Sequence, residues 1–465
     1  MIPHISVSLR LMLAAVLCLG SATASRADTN HHVILITIDG LASYYLDDPK
    51  ASLPNLRRLA AEGASASGLR VVNPAVTWPN HTTLVTGVYP SRHSVLFNGV
   101  LVRGAADWPV KVDPQRSKAD LVAFPTIYDR LHGMGYSTAA INWPCTRGAT
   151  TLDDDFPDVP EQIVFTTPRL RNELFAAGIL TSTNQADFLL QGPPTKDRIW
   201  TSAAAHVIQK RRPNFMAIHM LITDSTQHKY GPHSPAAYTA LALADTQLGD
   251  VLKAIDTAGI RGTTTLFVTA DHGFAGALKA VNPNVAFRKA GLARVAASPT
   301  LIGAKAQSIS EGGIAMVYLT DPKTRKEDEA KVVSLMREAE GVADILTPDK
   351  FPALHLPDPD KNPQMANLIL VAKEGYAFGN DALGDNLITE VTLTAGSPGH
   401  HGVLSTNKKM NAAFVAWGRG IRKGAKLGEV TNVDVAPTMA KLLGQSLPDV
   451  DGKVIEGLLT DEAAR

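Results

Sequence analysis

Apolar positions in this chain come in short blocks that stop at carboxylates and histidines. The first, Val33-Ile-Leu-Ile-Thr-Ile38, is rich in β-branched residues and predicts a strand ending at Asp39-Gly40. Leu53 to Glu62 opens with Pro54 and closes at Gly63, the punctuation of a helix. Strands are expected over Tyr136 to Asn142 and over Phe215 to Thr223, the second running into Asp224. From Ala236 to Ala258 the apolar residues Leu241, Leu248, Val251, Leu252 and Ile255 take helical spacing. Thr263 to Ala270 then predicts a strand that ends at Asp271-His272. Strands alternating with helices argue for an α/β sandwich on a mainly parallel sheet. Ligands of such sheets bind beyond the carboxyl ends of the strands, where Asp39, Asp224 and Asp271-His272 all fall.

The rhythm breaks between about Val281 and Ala395, where Pro, Gly, Lys and Asp become frequent and a Lys/Glu-rich helix is expected at Arg325 to Glu340. This reads as an insertion or cap with its own small sheet. Phe414 to Trp417 and the helix Val433 to Leu443 return to core texture. The expected organisation is a leader at 1–27, a catalytic α/β domain over 28–280, the insertion over 281–395, and the rest of the α/β domain over 396–465. The leader places Arg10 before the apolar run Leu11 to Leu19, with cleavage after Ala27 or after Ala24. That run falls short of the ~20 residues a bilayer span needs, so a periplasmic or secreted protein without a transmembrane segment is expected.

Composition changes this picture in two ways. A formal charge of +1 over 465 residues gives no bulk reason for stable nucleic-acid binding. Loss of the leader leaves a single cysteine, Cys145, so neither an internal disulfide nor a cysteine metal site is available. Any metal must be held by histidine and carboxylate. The candidates are Asp39, the D-x-x-x-H pair Asp224 and His228, Asp271-His272, and His400-His401 before Gly402. Each sits at a predicted turn with a glycine nearby. Taken alone, an aspartate at a strand end is an ordinary helix cap. Three such carboxylates and three histidines on strand-end loops point to one site. His31, His32, His81 and His233 read as ordinary surface histidines, His233 with a possible reach to substrate.

Thr77 stands just before Trp78-Pro79, and Pro79 suits the first turn of a helix to Thr86 with Thr77 at or next to its N-cap. A helix N-terminus offers unpaired N–H groups and a positive dipole end, which favour a phosphoryl group and an alkoxide. Thr77 is therefore the candidate nucleophile.

The segment Thr77-Trp-Pro-Asn-His-Thr-Thr-Leu-Val-Thr-Gly-Val-Tyr-Pro90, with His93 and Asn98 after it, resembles the nucleotide pyrophosphatase/phosphodiesterase family of the alkaline phosphatase superfamily. Ile38-Asp39-Gly40, Asp224 to His228 with Gly231-Pro232, Asp271-His272-Gly273, His401-Gly402 and Val433 to Thr438 fit in the same order. The resemblance implies an alkaline phosphatase-like three-layer sandwich with a smaller inserted cap. It implies two zinc ions, another divalent metal being possible. One would be held by Asp39, Thr77, Asp271 and His272, the other by Asp224, His228 and His401, with His401 preferred over His400. Asn98 would bind a nonbridging phosphoryl oxygen, and Trp78 and Tyr89 would contact substrate. Departures from the family pattern are Ser94 after His93, Gln227 before His228, and Cys145 in Asn142-Trp-Pro-Cys145.

The activity this implies is hydrolysis of phosphodiesters, nucleotide-type or related, through a covalent phospho-threonine on Thr77. Zinc activation of the hydroxyl makes a separate general base unnecessary. A phosphonoacetate-type hydrolase or a phosphomonoesterase would use the same site. Arg92, Arg103, Lys111 and Arg147 are the cations near the relevant segments that a monoester would call on. A sulfatase would need a modifiable Cys or Ser in place of Thr77, and a non-catalytic zinc-binding protein predicts a damaged ligand set.

Overall fold

Eight strands form the central sheet of the computed structural model, which describes residues 30–158, 162–296, 301–394 and 396–465. They are β1 His32–Ile38, β2 Ala64–Arg70, β3 Thr138–Ile141, β4 Asp154–Phe156, β5 Phe215–Met220, β6 Thr264–Thr269, β7 Phe414–Gly418 and β8 Ala425–Thr431. Their spatial order is β8-β2-β7-β6-β1-β5-β3-β4. Every pairing is parallel except the two made by β7. All seven residues of β1 are buried, as are all six of β5 and of β6, which is why β1 and β5 are nearly unbroken apolar runs and β6 joins apolar residues to β-branched threonines rather than alternating with charged ones. The expected leader lies outside the described residues. Among those described, no helix is long and apolar enough to cross a membrane.

Helices cover both faces of the sheet. One group comprises α1 Pro54–Glu62, α3 Pro193–Arg211, α4 Ile222–Tyr230 and α5 Pro235–Thr257, which pack on one another. The other contains α2 Thr77–Thr86 against α7 Val435–Leu442. Between them in sequence, α6 Arg325–Arg337 belongs to a second core. There the strands Ala306–Ser310, Ile314–Leu319, Leu368–Ala372 and Val342–Leu346 form an antiparallel sheet, and Val332 and Met336 of α6 are buried within that core. The strand Ala275–Val281 joins the two parts, pairing with Gly375–Phe378, Ile388–Glu390 and Gly399–His400.

One expected strand is shorter than its apolar run. β5 stops at Met220 and α4 begins at Ile222, so Asp224 lies in the first turn of a helix. The cause is Asp197 of α3, fully buried, whose carboxylate accepts the N–H groups of Leu221 at 2.9 Å and Ile222 at 2.9 Å. These are donors a new helix leaves unpaired, and the carboxylate turns the chain at that point.

Burial pushes the Asp197 carboxyl up to about 6, against the pull of those two N–H groups. A folded-state pKa above the unfolded value means that its contribution to stability is full below about pH 4 and is lost as pH rises through 6. Asp197→Asn keeps an acceptor and cannot ionise. Between pH 4 and 7 the wild type should therefore lose up to about 3 kcal/mol relative to the variant, measured by urea denaturation of both.

Candidate active site

β1 delivers Asp39 because its ladder with β5 runs one residue past the strand, Asp39 N–H donating to Met220 O at 2.9 Å. The chain then turns at Gly40, φ +69°, where a Cβ would stand 2.7 Å from the Phe274 ring. Gly40 N–H reaches Asp271 Oδ1 at 3.3 Å, tying the ends of β1 and β6 together. His272 Nε2 lies 3.4 Å from Asp39 Oδ1 and 3.3 Å from Asp271 Oδ2. Asp224 Oδ1 lies 3.3 Å from His228 Nε2 and 3.8 Å from His401 Nε2. The His272 and His401 rings stack with centroids 3.7 Å apart. The structure thus gathers Asp39, Asp224, His228, Asp271, His272 and His401 from four places in the sequence. Within the cluster, the ligand-type atoms of Asp224, His228 and His401, and those of Asp39, Asp224 and His272, lie within 4.8 Å of one another.

The three histidines present their rings in one way. Nδ1 of His228 donates to Gly399 O at 3.0 Å, of His401 to Ala75 O at 3.0 Å, and of His272 to Gly273 O at 3.2 Å. A carbonyl can only accept, so Nδ1 carries a proton and, in the neutral ring, the Nε2 lone pair faces the cluster. His400 bonds the His401 carbonyl through its own Nδ1 and is not one of the grouped ligands.

The carboxylates feel this arrangement unequally. Burial, with Asp271 and Asp224 close by, holds the Asp39 carboxyl well above the usual range. Burial pushes Asp224 the same way, but His228, His401 and His272 outweigh it and bring the group below that range. Asp271 is likewise lowered, its burial overcome by His272, His81 and His219. Burial drives the His401 imidazole well below its ordinary value, and the neighbouring His272 and His228 add to this.

Four atoms in the cluster are buried without a hydrogen-bond partner: Asp39 Oδ1, Asp224 Oδ1, Asp271 Oδ2 and His272 Nε2. Orphaned buried acceptors are costly, and these converge. Carboxylate oxygen with imidazole nitrogen is a donor set for a divalent cation, so the residues fit a metal centre.

Thr77 is the first residue of α2, with Val76 extended at the N-cap. The loop before it is held by Asn80, which accepts from Val72 N–H at 2.8 Å and donates to Pro74 O at 3.0 Å and Val76 O at 2.9 Å. Asn432 Nδ2 donates to Asn80 Oδ1 at 2.9 Å. Asn98 Oδ1 accepts the Trp78 N–H at 2.9 Å, placing an exposed amide at this helix N-terminus. The Trp78 indole itself turns inward among Val95, Leu121 and Cys145, its Nε1 donating to Asp158 Oδ2 at 3.1 Å. Tyr89 stacks on His355 at 3.7 Å, beyond the far end of a helix about 15 Å long, and is not brought to the cluster.

His31, His32 and His81, expected on the surface, are buried, and His81 belongs to the site. Its Nδ1 donates to Thr77 O at 2.8 Å and its Nε2 meets Thr37 Oγ1 at 2.8 Å. Burial, with His219 adjacent, pushes its imidazole down to about 3, so it is neutral. The sequence cue was its place four residues after Thr77, one helical turn on. His219 and Asn80 carried no such cue.

A parallel sheet with a buried Asp/His centre beyond its strand ends defines an alkaline phosphatase-like α/β protein. The chain belongs to the family described as type I phosphodiesterase / nucleotide pyrophosphatase, whose model matches residues 33–404. It is 23% identical over 416 residues to venom phosphodiesterase 2 of Crotalus adamanteus, covering 88% of this chain and 45% of that protein. It is 27% identical over 246 residues to ectonucleotide pyrophosphatase/phosphodiesterase family member 3 of Rattus norvegicus, covering 52% of this chain and 24% of that one. The chain spans less than half the length of these curated relatives. In fold it is similar to murine ectonucleotide pyrophosphatase/phosphodiesterase 5, with a TM-score of 0.68 at 18% identity over 92% of this chain and 100% of that chain.

Asn80→Ala should cost about 3 kcal/mol of stability, because it removes three buried side-chain bonds of the Val72–Val76 loop. Chemical denaturation checks this, and a change below about 1 kcal/mol would show that the loop holds itself.

Proposed function

We infer that this protein is a two-metal phosphodiesterase in which Thr77 attacks phosphorus. The observation that carries the reading is the convergence of four orphaned buried atoms of Asp39, Asp224, Asp271 and His272 on one cluster, in a chain of this family. Asp39, Asp271 and His272, with Thr77, would hold one ion, and Asp224, His228 and His401 the other. Two divalent ions, zinc by donor type, would supply Lewis acidity that lowers the pKa of the Thr77 hydroxyl and offsets charge on the phosphoryl group.

This chain's own residues do the rest. The Thr77 hydroxyl oxygen forms a bond to phosphorus as the ester bond to the leaving alcohol breaks, and the hydroxyl proton ends on that alcohol. Water then cleaves the phospho-threonine, restoring the hydroxyl and releasing the phosphate product. The N-terminus of α2 favours charge on the phosphoryl oxygens, and Asn98, anchored through Oδ1 to Trp78 N–H, offers its amide N–H groups to a nonbridging oxygen. Trp78 acts through its backbone, since its indole is buried.

A diester is favoured over a monoester because three of the four cations a monoester would call on are engaged elsewhere, the fourth, Lys111, being exposed. Arg92 pairs with Asp451, Arg103 donates to Pro363 O and Met365 O, and Arg147 lies over the Phe165 ring at 4.0 Å. A structure of an inactive form of the murine relative is described as a complex with AMP, which supports nucleotide-type diesters as substrates. The 1–27 segment supports export to the periplasm or medium.

The test compares an aryl phosphodiester, a nucleotide diester, an aryl phosphomonoester and phosphonoacetate on zinc-loaded protein, each with and without chelator. Chelator-sensitive turnover should be fastest on the diesters, and Thr77→Ala should lose about a thousandfold or more in kcat with metal content retained. Fastest turnover of the monoester or of phosphonoacetate contradicts the diester assignment, and near-normal activity of Thr77→Ala contradicts the mechanism.

A further inference from the structure

Beneath the cluster lies an imidazole that no ligand assignment uses. His219 of β5 is buried, in register with Thr37 of β1. Its Nε2 lies 3.0 Å from Asp39 Oδ2, and its Nδ1 lies 3.1 Å from the carbonyl oxygen of Asn142. That carbonyl is held by the chain's geometry. Asn142 follows β3 in a left-handed conformation, φ +55°, its N–H donates to Phe156 O at 2.6 Å, and its Nδ2 returns a bond to His219 O at 3.2 Å. Nδ1 donates to that carbonyl, and one proton shared between Nε2 and Asp39 Oδ2 makes the second bond, so the ring is fixed at both ends, one on rigid backbone and the other on Asp39.

The two oxygens of Asp39 are made unequal by this contact. Oδ2 is occupied by His219, whereas Oδ1 has no hydrogen-bond partner and faces His272. A second imidazole extends the support. The His81 ring is 4.4 Å from that of His219, and His81 holds the carbonyl of Thr77. Asp39 and the first turn of α2 are thus referenced to each other through two buried rings.

We propose that His219 is a positioning residue that locks Asp39 through Nε2, so that Oδ1 alone is turned to the metal. The inference rests on the reading of Asp39 as a metal ligand. Carboxylates fixed in this way bind metal more tightly because the orientation is set before binding, and loss of such a partner typically costs 10–100-fold in affinity.

Two conservative variants separate this role from a merely structural one. In His219→Gln the side-chain amide reaches the place of Nε2 and keeps the bond to Asp39. In His219→Asn it takes the place of Nδ1 and keeps the bond to Asn142. Zinc affinity of the full chain is measured by competition with a chromogenic chelator, beside Asp39→Asn. Melting temperatures of the metal-free proteins check folding, and His219→Phe replaces the Asn variant if that one does not fold. His219→Asn, or Phe, should bind the ion assigned to Asp39 about 10–100-fold less tightly, and His219→Gln should stay within about threefold of wild type. Equal affinities in the variants and wild type, or a reversed order, with Asp39→Asn still losing metal, overturn the positioning role and leave the ligand reading intact. Full metal binding by Asp39→Asn overturns both.

Discussion

Three aspartates buried side by side are the constraint on which this structure depends. Asp39, Asp224 and Asp271 end up within one cluster because three neighbouring parallel strands finish at the same edge of the sheet. Like charges removed from water repel, and the protein answers with imidazoles rather than with lysine or arginine. Imidazoles can give up their charge and offer lone pairs where lysine and arginine cannot, which leaves room for a bound cation to balance the carboxylates. Burial first, and then the neighbouring Asp271 and Asp224, drives Asp39 toward its acid form, while His228, His401 and His272 outweigh the burial of Asp224 and keep it ionised.

Holding that cluster requires the second core as well as the first. Ala75 O, two residues before Thr77, accepts both from His401 Nδ1 and from Gly402 N–H at 2.9 Å. On its other side the His401 carbonyl accepts Gly313 N–H at 2.8 Å, from a hairpin of the inserted sheet. Gly402, φ +70°, passes so close to that hairpin that a Cβ there would collide with the Glu311 carbonyl oxygen. The His401 segment is clamped between the loop before α2 and the four-stranded antiparallel sheet, which makes that sheet part of the site's scaffold.

Much of this was legible in the sequence, and the reasons are local. A β-branched run stopping at Asp-Gly, or at Asp-His-Gly, marks a strand end whatever the rest of the chain does, so the Asp39 and Asp271-His272 placements could be read directly. The helix start at Thr77 could also be read, because Thr77 and Pro79 are nearest-neighbour cues for a first turn. What escaped were contacts between residues far apart in sequence. Asp197 ends β5 from 24 residues away, and His219 meets Asp39 across 180 positions. His81 looked like a surface residue because its burial is conferred by strands it does not adjoin in sequence. The inward turn of the Trp78 indole depends on Asp158, 80 residues on.

Anomalous diffraction at the zinc edge from crystals of zinc-loaded protein decides whether the buried cluster is a two-metal centre serving Thr77. Two strong peaks per chain are expected, one bounded by Asp39, Asp271 and His272 and one by Asp224, His228 and His401, with the Thr77 hydroxyl beside the first. A cluster without anomalous density in fully active protein would contradict the two-metal reading.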